Sequence, residues 1–173
     1  IANCKATGQP RRFPEFVAAE KAVQDHINHL LNINGKKSVD SIHKELGHIM
    51  WEYAGMARSK EGLVTALAKL KEIRKEFETN LFVPHIEGVN VELDKAIRLN
   101  DFITMGQLIA IDALHRGHFR VEHQTEEGEA KRDDKNCFYV SCWEYQGEDK
   151  DPVKYEEPLK YEAIEVKTRN YKN

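Results

Sequence analysis

SVDSIHKELGHIMWEYAGM, from Ser38 to Met56, is the stretch whose reading decides the fold. Val39, Ile42, Leu46, Ile49, Tyr53 and Met56 follow one another at steps of three and four. That spacing places apolar groups along one face of an α-helix. A stripe of this length is the seam of a helix packed along its length against others, as in a bundle. Ser38 offers a hydroxyl to cap the helix, and Asp40 sits in the positive first turn. Gly55, a poor helix former, is near its end.

The same pattern extends in both directions. Upstream, a helix is expected over about Pro14 to Asn32, with proline at the first helical position. Phe16, Ala19, Val23, Ile27, Leu30 and Leu31 form its apolar stripe, and Asn34 and Gly35 end it. The preceding IANCKATGQPRRF reads as an irregular connection. The chain opens with Ile1, not Met, and is expected to be a piece of a longer protein or a processed product. Downstream, Ser59 starts a third helix with Leu63, Leu67, Leu70, Ile73 and Phe77 turned inward. TNLFVPHIEGVN breaks it at Pro84. Asn90 caps a fourth helix running to about His115. Its apolar residues cover more than one face, which predicts the most buried helix of the set. The short connections predict antiparallel neighbours. Beyond Arg116, CFYVSCWEY and LKYEAIEVKTRNY are two candidate strands, with QGEDKDPVKYEE as the loop between them.

Composition limits the function classes. The chain has 173 residues, 32% of them charged, and a formal net charge of -3. This fits one soluble domain with a core and a tail. Near-balance of charge argues against a nucleic-acid partner or an anionic membrane surface. No apolar run approaches the roughly 20 residues of a membrane-spanning helix, and no signal peptide opens the chain. Cys4, Cys137 and Cys142 are too few and too scattered for a disulfide framework. Cys137 and Cys142 stand five apart on a candidate strand, hence on opposite faces, and read as reduced thiols.

The polar stretch GHFRVEHQTEEGEAKRDDKN, Gly117 to Asn136, is the candidate site. His115, His118 and His123 lie close to carboxylates, a combination that can move protons at neutral pH. No nucleophile, phosphate loop or glycine-rich dinucleotide turn accompanies them. RDDKN offers carboxylates to a metal, yet the same residues form turns and pair with one another. Elsewhere, His43 and His48 are five apart, too far around a helix for a zinc-protease pair. His26 and His29 have ligand spacing, but no third ligand stands beside them. From the residues alone, the chain is a helical bundle with a charged arm and a β tail.

Several motifs in order carry a resemblance: SVDSIHKELGHIMWEYAGMARSKEGL, LDKAIRLNDFITMGQLIAIDALHR, GHFR, RDDKN, WEY and TRNYKN. From about Phe16 to its end the chain resembles the C-terminal region of the succinate dehydrogenase or fumarate reductase flavoprotein subunit. The variety it looks most like is a bacterial, Bacteroides-like branch. The resemblance implies a mainly α fold: an antiparallel, spectrin-repeat-like three-helix bundle preceded by a helix, with an extended C-terminal arm and two short β-strands. It implies a connecting segment and helix over residues 1–35 arriving from an upstream FAD domain. The bundle follows over 36–116 and the arm and tail over 117–173.

The parent enzyme would interconvert succinate and fumarate, with FAD bound upstream. Electrons would pass to or from quinone through an iron–sulfur subunit and, indirectly, a membrane anchor subunit. The complex would sit on the inner, cytoplasmic face of the membrane. No catalytic, cofactor-binding or metal residue is carried over to this chain, and the chain alone is expected to be inactive. His118 and Arg120 in GHFR, and Arg132, Asp133 and Asp134 in RDD, are expected to contact the FAD domain or the partner subunit. Two departures stand out. The family usually has a short segment between the long helix and Gly-His, whereas here Arg116 runs straight into Gly117, and VPHIEGVN is short. The rival readings are L-aspartate oxidase, adenylylsulfate reductase, or a non-enzymatic helical interaction module.

Overall fold

A computed structural model of the protein describes residues 13–116, 124–125, 138–147 and 150–164. It is mainly helical. The elements run α1 (Pro14–Asn32), β1 (Lys37–Ser38), α2 (Val39–Ala54), β2 (Ala57–Arg58), α3 (Lys60–Asn80), β3 (Leu81–Phe82), α4 (Val91–Arg116), β4 (Gln124–Thr125), β5 (Tyr139–Glu144) and β6 (Val153–Pro158). The helix starts follow from local chemistry. Ser38 Oγ accepts a hydrogen bond from Ser41 N at 3.2 Å, Ser59 Oγ from Gly62 N at 3.0 Å, and Asn90 Oδ1 from Leu93 N at 3.1 Å. Each side chain satisfies an amide that the first helical turn leaves without a carbonyl.

The chain divides into two compact units, Ile1–His48 with Lys69–Thr104, and Ile49–Ala68 with Met105–Asn173. α2, α3 and α4 each contribute residues to both. In the first unit most buried residues are large and apolar: Leu30, Val39, Ile42, Leu46, Leu70, Ile73, Phe77, Leu81, Val83, Leu99 and Ile103; Ala96 and Arg74 are covered as well. β1 and β3 pair in parallel there, Lys37 beside Leu81 and Ser38 beside Phe82. Gly35 makes this pairing possible. Its amide donates to Leu81 O at 2.8 Å, and a Cβ at this position would lie 2.0 Å from the Asn80 carbonyl. Lys37 then reaches Glu45 at 2.9 Å and Glu76 at 3.4 Å.

In the second unit the buried hydrophobic positions are mostly small: Ala54, Ala66, Ala110 and Ala113, with Leu63 the large one among them. A short parallel pairing joins β2 to β4, and an antiparallel hairpin joins β5 to β6 from Tyr139↔Pro158 to Glu144↔Val153.

Four expectations need correction. The second strand of the hairpin is VKYEEP, not LKYEAIEVKTRNY; it lies in the segment read as loop. Charge disguised it, because Val153 and Tyr155 alternate with Lys154 and Glu156; Lys154 donates across the hairpin to Tyr139 and along its own strand to Glu156. Met56 is 88% exposed and falls past the end of α2, so the seam stops at Ala54. α4 is not buried all round: Ala96, Leu99, Ile103, Ala110 and Ala113 are covered, while Phe102, Met105 and Ile109 remain half-exposed. In α1 only Leu30 of the expected stripe is buried. The first two errors come from local composition and the last two from assuming that every apolar face finds a partner within this chain.

Candidate functional site

All five residues expected to make interdomain contacts, His118, Arg120, Arg132, Asp133 and Asp134, lie outside the described residues, as do His123, Cys4 and Cys137. The described elements on either side of the five are the end of α4, at Arg116, and β5. Side chains tie these two elements to each other.

Asp112 is the centre of that tie. Its Oδ2 accepts from Arg116 Nε at 2.8 Å, and its Oδ1 accepts from Trp143 Nε1 at 3.0 Å. Arg116 also donates through Nη2 to Ser141 Oγ at 3.1 Å. Ser141 and Trp143 alternate along β5 and so share one face of it, the face turned to α4. His115 adds an edge-on ring contact to Trp143, with centroids 5.3 Å apart. The Arg116 guanidinium sits 5.6 Å from the centre of the Tyr139 ring. Lys154, from β6, closes on the same tyrosine, 2.9 Å from its hydroxyl and 4.6 Å from its ring centre.

Electrostatics favour the charged forms. Burial pushes the Asp112 carboxyl up, but hydrogen bonds from Trp143 and Ser141 and the Arg116 charge outweigh it, so its pKa falls below the usual carboxylate value. For Lys154, burial works against the ammonium, while bonds to Tyr139 and Glu156 raise its pKa on balance. A carboxylate held ionised, with both oxygens engaged by donors, is a poor proton carrier at neutral pH. The arrangement is a clasp fixing a hairpin to a helix end.

A second fixation lies at β2. Arg58 Nε donates to Ala54 O and Gly55 O, both at 2.9 Å, closing the last turn of α2. Burial lowers its pKa from the ordinary guanidinium value. β2 pairs with β4 there, Ala57 beside Gln124 and Arg58 beside Thr125.

The other histidines are placed as follows. His43 stacks on Phe102 at 5.5 Å between centroids, while His26, His29 and His48 are exposed on helix surfaces. Among the described residues no three His, Cys, Asp or Glu side chains gather where they could hold a metal. Nor do these residues fit FAD: both parallel pairings are two residues long, and no glycine-rich turn leads from a long strand into a helix. Sequence reasoning missed Asp112, Ser141 and Trp143. A signal for Asp112 was present: it is the only acidic or basic residue in the apolar run from Phe102 to Leu114, and it stands four before Arg116.

Residues 43–171 match the family model described as fumarate reductase flavoprotein C-term. The chain is 36% identical over 125 residues to L-aspartate oxidase 2-a, chloroplastic, of Nicotiana tabacum, covering 72% of this chain and 18% of that protein. It is 28% identical over 139 residues to the fumarate reductase flavoprotein subunit of Helicobacter pylori, covering 79% and 19%. In structure it is similar to E. coli quinol fumarate reductase, with a TM-score of 0.77, 22% identity, and coverage of 94% of this chain and 28% of that one. The chain thus spans about a fifth of the length of the curated relatives it matches, and its homologues are FAD-dependent flavoproteins. With four helices, a small antiparallel hairpin and a family match through most of its length, the chain belongs to the C-terminal domain family of fumarate reductase and succinate dehydrogenase flavoproteins.

Proposed function

We propose that this chain is the C-terminal domain of a quinone-linked fumarate reductase or succinate dehydrogenase flavoprotein. The parent interconverts succinate and fumarate at an FAD held by its other part. Electrons pass to or from quinone through an iron–sulfur subunit, on the cytoplasmic face of the membrane. The observation that carries this reading is the reach of the likeness into the tail. The family match continues to residue 171, and the alignment with the Helicobacter pylori fumarate reductase subunit takes in 79% of the chain. Residues 1–35 serve as the connection from the flavin domain, 36–116 as an antiparallel, spectrin-repeat-like bundle, and 117–173 as the arm and tail. His118, Arg120, Arg132, Asp133 and Asp134 contact the flavin domain or the iron–sulfur subunit. The clasp at Asp112 supports this role, since it joins the end of α4 to β5, the described elements on either side of these residues.

A second reading is favoured by identity: 36% to L-aspartate oxidase against 28% to the fumarate reductase subunit. The two are separated by assaying the full-length parent with fumarate and a reduced quinone analogue, with succinate and an oxidised one, and with L-aspartate and oxygen. Succinate–fumarate turnover is expected. Turnover of L-aspartate alone would replace this reading by the second.

A further inference from the structure

The turn between α1 and α2 makes two demands that meet at one dipeptide. Past the end of α1 the backbone enters the left-handed region at Asn34, with φ 52°; no other non-glycine among the described residues has a positive φ. Asparagine tolerates that conformation better than most residues, and it is used where helices turn away. The next residue must be glycine, because a Cβ at Gly35 would lie 2.0 Å from the Asn80 carbonyl. The turn therefore holds Asn34–Gly35, the only asparagine of the chain followed by glycine. That pair carries a chemistry of its own. With no side chain on Gly35 to hinder the approach, its amide nitrogen can close on the side-chain carbonyl carbon of Asn34. The new N–Cγ bond forms, the Cγ–Nδ2 bond breaks, and Nδ2 leaves as ammonia with the Gly35 amide proton. Water then opens the five-membered imide at either carbonyl, leaving aspartate or isoaspartate at position 34. Water is the one co-reactant, and Asn34 is exposed to it.

The fold holds both reacting groups away from this course. The Gly35 amide keeps its proton in a hydrogen bond to Leu81 O at 2.8 Å, and Asn34 Nδ2 donates to Asn32 O at 3.2 Å. Lys36 N donates to Asn80 Oδ1 at 3.0 Å, and beyond it β1 pairs with β3. We propose that Asn34 is a latent deamidation site, guarded by the pairing of residues 35–38 with residues 80–82 and released when that pairing opens. The guard is slight, since β1 and β3 are two residues each, and a short pairing opens at less cost than the core beneath it. The product cannot return to the guarded state. Isoaspartate adds one carbon to the main chain just before Gly35, which carries the amide off Leu81 O. Either acid also replaces the Asn34 amide donor by a carboxylate at the negative end of the α1 dipole. A transient opening of the α1–α2 turn is thereby made permanent.

The test uses the full-length parent, native and unfolded in guanidinium chloride, incubated side by side at one mildly alkaline pH. Trypsin releases residues 22–36 as one peptide, so Asn28 and Asn32, followed by His29 and Ile33, serve as references within it. Mass spectrometry with fragmentation locates each conversion. In the unfolded protein Asn34 is expected to convert well ahead of Asn28 and Asn32. In the native parent its conversion is expected to slow by about tenfold or more, the mark of a reaction that waits for local opening. Asn80→Ala, which removes the acceptor of Lys36 N, is expected to give an intermediate rate in the native state. Where that variant does not fold, low guanidinium on the unsubstituted parent takes its place, and hydrogen exchange of the Gly35 amide and conversion of Asn34 are expected to rise together. An unfolded chain in which Asn34 converts no faster than Asn28 and Asn32 overturns the site. Equal rates at Asn34 in native and unfolded protein overturn the guard. Conversion that is unmoved by Asn80→Ala, or that rises without exchange at Gly35, overturns the pairing as the gate.

Discussion

The first unit and the hairpin region of the second are held by different forces. In the first, side chains such as Leu70, Ile42, Leu99 and Ile103 are wholly or almost wholly removed from water. In the second, the buried positions are mostly alanines, and the hairpin is fixed to α4 by the Asp112 clasp. The arginines repeat the contrast. Arg74, in the first unit, is 9% exposed and donates to two neutral acceptors, Asn100 Oδ1 at 3.0 Å and Thr104 Oγ1 at 2.7 Å; its Nε has no acceptor among the described residues. Arg116 faces a carboxylate. Hydrophobic burial is insensitive to pH, whereas an ion pair depends on protonation. One chain thus contains a region stable by area and a region stable by charge.

The contrast can be broken most directly at Leu70. Leu70→Ala is expected to cost about 2–5 kcal/mol, the range for emptying a packed aliphatic site. Chemical denaturation checks this, and a loss under about 0.5 kcal/mol would show that the first unit is not held by packing.

Next comes the clasp. Asp112→Asn removes the charge that Arg116 and Trp143 address, and is expected to cost about 1–3 kcal/mol. The sign of the pH effect follows from the depressed pKa of Asp112. Its stabilisation is present in full above the unfolded carboxylate value of about 3.9 and is lost as pH falls through the lower folded value. Trp143 fluorescence in a Trp51→Phe background should therefore report hairpin release on acidification below about pH 4, and none between about pH 5 and 8. The Asn variant should lack that acid step. An unchanged acid profile would mean that another group holds the hairpin.

Arg74→Met should change stability by no more than about 1 kcal/mol, because replacing a buried charge by an apolar chain of similar length removes a desolvation penalty along with the bonds. A loss as large as that of Leu70→Ala would make Arg74 a structural keystone and blur the contrast. The smallest effect is expected at Lys21→Ala. Its partner Asp25 is on the solvent side of α1, and exposed pairs at this helical spacing contribute about 0.3–0.5 kcal/mol. A thermal melt at two salt concentrations checks it.

The helices were legible because their signals are local. Pro14, Ser38, Ser59 and Asn90 stand where the helix starts are found, and the stripes on α2 and α3 predicted Ile42, Leu46, Leu63, Leu70, Ile73 and Phe77 as buried. The candidate site was far less legible. Asp112 and Arg116 neighbour each other on one helix, but Ser141 and Trp143 lie 25 and more positions downstream, and nothing in WEY announces that its indole seeks an acid on α4. The hairpin strand VKYEEP was hidden for a related reason, since Lys154 and the Tyr155 hydroxyl find their acceptors across the hairpin, in Tyr139 and Glu144.

Period and capping chemistry by themselves determined four helices and where three of them are capped, because a backbone turn is closed by residues three or four positions away. They also determined that α1 and α4 carry apolar faces. Tertiary structure alone decided which of those faces are covered: Leu30 but not Phe16, Ile103 but not Phe102. It alone paired β5 with β6 and set Trp143 against Asp112. The reason is physical. Periodicity records that a face is apolar, but what covers it depends on which surfaces distant in the chain can reach it and pack closely.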